Sequence, residues 1–312
     1  MPTRGRFGEW TRTAAVCAAA VLFCAVGLRA AGPAQAQAPA ADAIARGQYI
    51  FDAAGCTSCH TDEKNKGQLL AGGVPLKTPF GTFYGPNITP DPTHGIGGWS
   101  EADVIRALRD GKDDDGDHLF PVFPYTSFTK MTDADAKDLW AYLRSVPPTA
   151  TPSKPHDIGF PFNIRLAQMF WKRLFFTPGR FQPDPAKSAE VNRGAYIVQA
   201  LGHCGECHTQ RNLLGGMDTK LFLAGNTRGP DGHAVPNITP DPDTGIGKWS
   251  DRDLVDLFKE GMTPDGDFVG GAMAEVVRHS TSKLTDSDIH AVIAYVRSLS
   301  PVRNRIEEKK AQ

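Results

Sequence analysis

The chain has almost no cysteine to spare. Of six cysteines in 312 residues, Cys17 and Cys24 lie among the first 36, and the other four stand in two Cys-x-x-Cys-His pentapeptides. None is left over for a structural disulfide, even in an oxidising compartment. An excess of one charge is also lacking. Lys and Arg number 34 against 35 Asp and Glu, a net charge of −1. That balance gives no support to nucleic-acid binding. Past Leu28 no apolar run is long enough to span a bilayer. Nucleotide chemistry and serine hydrolysis have no footing, because the Gly-x-Gly-x-x-Gly turn, the phosphate-binding loop and a Ser/His/Asp set are all missing.

The first residues do not read as fold. Arg4, Arg6 and Arg12 form a basic start, and Ala14 to Leu28 is an apolar stretch of signal-peptide length. Ala34-Gln35-Ala36 fits a cleavage site. The expectation is a signal over 1–36, a mature start near Gln37, and export to the periplasm; retention as an uncleaved anchor is the alternative. Cleavage removes Cys17 and Cys24, so every remaining cysteine sits in a pentapeptide. It also removes four Arg against one Glu, leaving the mature chain weakly acidic.

What is present is specific. Cys56-Thr57-Ser58-Cys59-His60 and Cys204-Gly205-Glu206-Cys207-His208 each carry the spacing for covalent attachment of a c-type haem. Two thiols one helical turn apart can add to the two vinyl groups of one porphyrin. The adjacent imidazole, His60 or His208, then meets the iron as proximal ligand. Zinc would want further Cys or His at regular spacing, and a plain disulfide would not need the His after both pairs. An axial His is held by a hydrogen bond from its other ring nitrogen, and the carbonyls of Pro86 and Pro236 are the expected acceptors.

The chain repeats itself. Arg46-Gly47-Gln48-Tyr49-Ile50 returns as Arg193-Gly194-Ala195-Tyr196-Ile197, and Asn87-Ile88-Thr89-Pro90-Asp91-Pro92 returns unchanged from Asn237 to Pro242. Gly95-Ile96-Gly97, Trp99-Ser100 and Ala141-Tyr142 recur likewise at Gly245-Ile246-Gly247, Trp249-Ser250 and Ala294-Tyr295. The copies span 40–148 and 187–301, with a linker over 149–186 and a polar tail over 302–312. Helices are expected from Ala43 to Ala54, after the capping signals at Ser100 and Ser250, and after Thr132 and Thr285. Gly111 and Gly261 suit helix exits. No alternating strand pattern competes, so the fold class predicted is all-α: two small domains, each around one haem. In the linker, Asn163 to Phe176 reads as a basic amphipathic helix. It suits a membrane surface or a partner, or packing between the haem domains, which is the favoured reading.

The sixth iron ligand must come from the segment before the last helix of each copy. In the second copy that segment supplies Met273, with Met217 and Met262 as competitors; a thioether opposite His raises the haem potential. In the first copy, Phe123 stands where Met273 stands. His118, Met131 or no side chain at all then remains for the distal position. The run Asp113-Asp114-Asp115-Gly116-Asp117 lacks the Glu that closes a calcium loop and reads as a solvated turn.

At these residues the chain resembles the cytochrome c subunits of periplasmic, membrane-associated alcohol and gluconate dehydrogenases. The similarity runs through Arg-Gly-x-Tyr, both CxxCH motifs, Pro-Asn-Ile-Thr-Pro-Asp, Gly-Ile-Gly-x-Trp-Ser and Phe123-Pro124-Tyr125-Thr126-Ser127-Phe128. It implies tandem class I-like cytochrome c domains and two covalent haem c groups. It further implies electron transfer from a flavin, quinone or molybdenum dehydrogenase partner to a respiratory acceptor. Those subunits commonly carry three haems and an apolar C-terminal anchor; here there are two motifs and a charged Glu307-Glu308-Lys309-Lys310 stretch, so membrane contact is expected to be at most peripheral. The rival expectation is a dihaem enzyme, peroxidase or thiosulfate dehydrogenase-like, with an open first haem. A cysteine iron ligand, which the thiosulfate enzymes are expected to use, has no fifth mature cysteine to supply it.

Overall fold

The structure, a computed structural model, describes residues 40–229 and 232–306. The signal expected over 1–36 and the last part of the tail lie outside the described residues.

Each copy is framed by its first and last helices. In the first copy these are α1 (Ala41–Ala53) and α5 (Asp133–Leu143). In the second they are α7 (Ala189–Tyr196) and α11 (Asp286–Arg297). The pairs cross where α1 and α7 carry glycine. A Cβ on Gly47 would lie 1.9 Å from the Asp138 carbonyl oxygen, and one on Gly194 would lie 1.8 Å from that of Ala291. No other residue lets the two backbones approach so closely. Arg46 then reaches Asp138 and Arg193 reaches Asp288 beside each crossing.

The remaining helices start where the sequence says they should. α3 (Glu101–Asp110) and α9 (Asp251–Glu260) both open on complete capping boxes, Ser100 with Asp103 and Ser250 with Asp253. Their ends are turned by Gly111 and Gly261 at φ 59° and 78°, where a side chain would be strained. Thr132 and Thr285 accept from the backbone N–H of Asp135 and Asp288 and so cap α5 and α11. Leu108, Leu139 and Leu143 in the first copy, and Leu254, Ile289 and Val296 in the second, close the core beneath these helices. Each such side chain contributes about 1.5–3 kcal/mol on full burial.

The all-α expectation needs one correction. Residues Pro75–Thr78 (β1) and Gly81–Tyr84 (β2) form an antiparallel hairpin, extended by Asp157–Ile158 (β3) from the linker. Its strands are at most four residues long, too short for a period-two pattern to register in sequence. Two helices were also not foreseen: α4 (Tyr125–Phe128) and α10 (Gly271–His279), with α6 (Ala167–Phe175) between them in the linker.

α6 packs between the copies, as the favoured reading held, but inside out. Lys172 is 8% exposed, and its ammonium donates to the carbonyls of Asp110 and Gly111, the free end of α3. Trp171 donates to the Leu214 carbonyl, and Phe175 lies against Gly216 of the second copy. The apolar residues Leu166, Phe170 and Leu174 point outward, 62–68% exposed. Among the described residues no helix is long and apolar enough to cross a membrane.

The copies exchange tyrosines. Tyr49 of the first copy donates to Asp288 and accepts from the Thr285 N–H, at the cap of the second copy's last helix. Tyr196 of the second copy donates to Asp135 and accepts from the Thr132 N–H, at the cap of the first copy's last helix.

Candidate haem sites

Each Cys-x-x-Cys-His segment is a single helical turn. α2 (Cys56–His60) follows Gly55 at φ 61°, which breaks α1 and turns the chain. α8 (Gly205–His208) follows His203, also in the left-handed region at φ 39°.

The imidazoles are fixed alike. His60 Nδ1 lies 2.8 Å from the Pro86 carbonyl, and His208 Nδ1 lies 2.8 Å from that of Pro236. A carbonyl can only accept, so Nδ1 carries the proton in both rings and Nε2 keeps its lone pair. Burial pushes both imidazoles below their ordinary pKa, and the proline carbonyl pulls back only in part. Both are therefore neutral at pH 7, the form that can bind iron.

A conformation invisible to composition holds the proline loop in place. Leu70 and Leu223 are fully buried leucines at φ 60° and 61°. Their N–H groups donate to Thr61 and Thr209, the residues after each His, and their carbonyls accept from Ile88 and Ile238. Gly72 and Gly225 donate to the carbonyls of His60 and His208. The signal was available as a repeat: Leu70-Ala71-Gly72 returns as Leu223-Ala224-Gly225. The repeated Asn-Ile-Thr segment staples the other side. Asn87 donates to the carbonyls of Thr149 and Thr151, and Asn237 donates to that of Val302, so the chain leaving each last helix is tied to the loop behind each His.

The thiols suit attachment rather than redox exchange. All four described cysteines are free. Burial pushes Cys56 and Cys204 up to about 12 and Cys59 and Cys207 up to about 11, so all are protonated at neutral pH. Nothing here resembles the lowered pKa of a reactive thiolate. Among the described residues no three His, Cys, Asp or Glu side chains converge to hold a metal ion unaided, so a protein-ligated zinc lacks donors. Two thiols and one imidazole with a free Nε2 are the donor set that a haem c takes.

The distal candidates are placed as follows. Met273 is part-buried in the first turn of α10. Met217 and Met262 sit in loop bridges, paired with Arg211 and Phe268. Phe123 packs edge-on to Phe128, ring centroids 5.6 Å apart. Met131 is fully buried in the core cluster, and Leu284, which stands before the last helix of the second copy as Met131 does in the first, is buried too. The linker's Arg165 donates to the carbonyl of His118, whose buried Nδ1 has no hydrogen-bond partner; burial, then Lys172 and Lys112, lower its pKa against the pull of Asp117.

Sequence reasoning missed Glu206. This carboxylate, 10% exposed, accepts from the hydroxyls of Thr126 and Ser127 in α4 of the first copy and pairs with Arg211. Burial would raise its pKa, but Arg211 and the two hydroxyls win and hold it below the usual carboxylate range.

Comparison with known proteins agrees with this geometry. The cytochrome c family model matches residues 44–147 and again 191–300. A dihaem cytochrome c-type protein of Cereibacter sphaeroides is 44% identical over 82% of this chain and 86% of its own length. The cytochrome c subunit of a quinone alcohol dehydrogenase from Gluconacetobacter polyoxogenes is 40% identical over 87% of this chain. That of gluconate 2-dehydrogenase from Pantoea cypripedii is 38% identical over 82%. The chain spans 59% of the length of each of these two subunits. A family match that occurs twice, over a duplicated haem-binding geometry, has one reading: the chain belongs to the cytochrome c family and carries two covalently bound haem c groups.

Proposed function

We propose that the protein is a periplasmic electron carrier that takes electrons from a dehydrogenase catalytic subunit and delivers them to a respiratory acceptor. The haems are held at Cys56, Cys59 and His60 and at Cys204, Cys207 and His208, in two tandem class I-like domains over 40–148 and 187–301. Residues 1–36 act as the export signal. The observation that carries this reading is the duplicated attachment turn, with His60 and His208 each held by a proline carbonyl at 2.8 Å.

Bound haem supplies a one-electron couple. The chain's own residues then have few tasks. His60 and His208 would present Nε2 to the iron; the Pro86 and Pro236 carbonyls hold the proton on Nδ1 and keep both rings from rotating, while burial keeps them neutral. Met273, part-buried in the first turn of α10, is the side chain that would hold the second haem together with Cys204, Cys207 and His208. Phe123 has no donor to offer the first haem and Met131 packs in the core, so the first haem would have no thioether of the Met273 kind. The dehydrogenase is the expected partner because relatives matching most of this chain are cytochrome subunits of such enzymes.

The test is peroxide turnover by the reduced holo-protein. A carrier is oxidised once and stops; sustained peroxide-dependent oxidation of an electron donor overturns the reading in favour of an enzyme.

A further inference from the structure

Glu206 lies inside the second attachment turn, yet two of its partners belong to the first copy. Its Oε1 accepts from Thr126 and Ser127 at 2.5 and 2.8 Å. These residues lie just after Phe123, in the short helix α4 of the first copy. Arg211 anchors the same carboxylate from behind. It also donates to the backbone carbonyls of Glu206 and Gly215, and so fixes the turn itself. Tyr125, Lys130 and His203 complete the surroundings; Lys130 in turn donates to Gln199, and His203 stacks edge-on to Phe128.

The first copy has no counterpart. Ser58 stands where Glu206 stands, and its buried hydroxyl has no partner. Opposite it, Val276 and Val277 stand where the gapless alignment of Phe123 with Met273 puts Thr126 and Ser127. Of the two attachment turns, only the second thus carries a carboxylate between its cysteines, and that carboxylate is paired with Arg211.

Resting on the reading that Cys204–His208 carries a haem, we propose that Glu206 is the positioning residue for electron transfer between the two haems. It ties the second attachment turn to α4 of the first copy, and its charge, absent between the cysteines of the first turn, makes the two iron sites electrostatically unequal. The charge argument has a definite sign. Reduction lowers the positive charge on iron, so a nearby anion favours the oxidised form and holds the midpoint down.

The experiment uses the holo-protein, with haem counted by pyridine haemochrome before anything else. A wild-type count below two haems per chain fails the attachment reading and not this one. Glu206→Gln keeps an acceptor for Thr126 and Ser127 and removes the charge. It is expected to raise the midpoint of the second haem more than the first in a spectroelectrochemical titration. The double variant Thr126→Val/Ser127→Ala keeps the charge and removes the tie. It is expected to slow equilibration between the haems after pulse reduction, at full haem content. Unshifted or lowered midpoints in Glu206→Gln, or a wild-type rate in the double variant, overturn the proposal. Should Glu206→Gln lose haem, Arg211→Gln replaces it. That variant leaves the anion unbalanced and is expected to lower the second midpoint; a rise or no change overturns the proposal equally.

Discussion

Replacing Gly47 by alanine sets two effects of opposite sign against each other. Within a helix the change gains about 1 kcal/mol of propensity. Against that, the new Cβ would stand 1.9 Å from the Asp138 carbonyl oxygen and 2.8 Å from the Tyr142 Cβ. A carbon and a carbonyl oxygen rest no closer than about 3.3 Å, so α1 and α5 must separate by more than about an ångström. The obstacle is backbone, which no rotamer change can move aside. Overpacking costs about 1–3 kcal/mol, and a rigid obstacle puts this site at or beyond the upper end. The net is a loss of about 2 kcal/mol, or about 4–8 °C in melting temperature for a protein of this size. Thermal unfolding of the holo-protein followed by far-UV circular dichroism reads it. Gly159→Ala, where nothing lies within 4 Å of the new Cβ, is the control and should melt like wild type. Gly194→Ala, blocked at 1.8 Å by Ala291, should repeat the loss in the second copy. If Gly47→Ala melts at or above wild type, propensity has won and the close crossing is refuted.

Three further outcomes follow from the same structure. Tyr49→Phe removes a hydrogen bond to the Asp288 carboxylate and an acceptor for the Thr285 N–H, a loss of about 1.5–3 kcal/mol in urea denaturation; an unchanged midpoint would sink the exchanged-tyrosine interface. Met273→Ala should make the second haem of the reduced protein bind carbon monoxide, and no gain in the carbon monoxide-sensitive fraction would remove Met273 from the iron. Asp288 concerns pH. Burial alone would raise its pKa, but Arg193 and Tyr49 hold it below the usual range. Its folded pKa is thus below its unfolded one, so its contribution is complete above about pH 4 and is lost as pH falls through the folded value. Asp288→Asn should flatten that part of the acid limb; parallel limbs for variant and wild type would contradict it.

The parts legible in sequence are those whose physics is local. Ser100 with Asp103 and Ser250 with Asp253 announce helix starts because a capping box closes within four residues. Gly111 and Gly261 announce ends because only glycine tolerates the turn cheaply. The proline carbonyls behind His60 and His208 could be named because the repeat kept both at matching positions. What stayed hidden depends on residues far apart in the chain. Leu70 and Leu223 give no hint of a left-handed backbone, since leucine avoids it. Tertiary hydrogen bonds from Thr61 and Thr209 impose it. The hairpin at 75–84 is fixed by β3, more than seventy residues later in the chain. α6 was read correctly as amphipathic, but periodicity does not tell which face turns inward, and here the free carbonyls of α3 claim Lys172. Glu206 looked like a filler between two cysteines because its partners lie some eighty residues earlier.

The tyrosine exchange has the form of an isologous contact: Tyr49 meets the cap of the other copy's last helix, and Tyr196 returns the same contact. In assemblies that pattern belongs to two identical subunits about a two-fold axis. Here one chain supplies both sides, so the molecule is built as a homodimer whose subunits have been joined. A true homodimer must repeat every residue in both subunits. A joined one need not, and this chain uses that freedom where it matters, with Phe123 against Met273 and Ser58 against Glu206. Fusion is what allows a symmetric scaffold to carry unlike residues at matching positions.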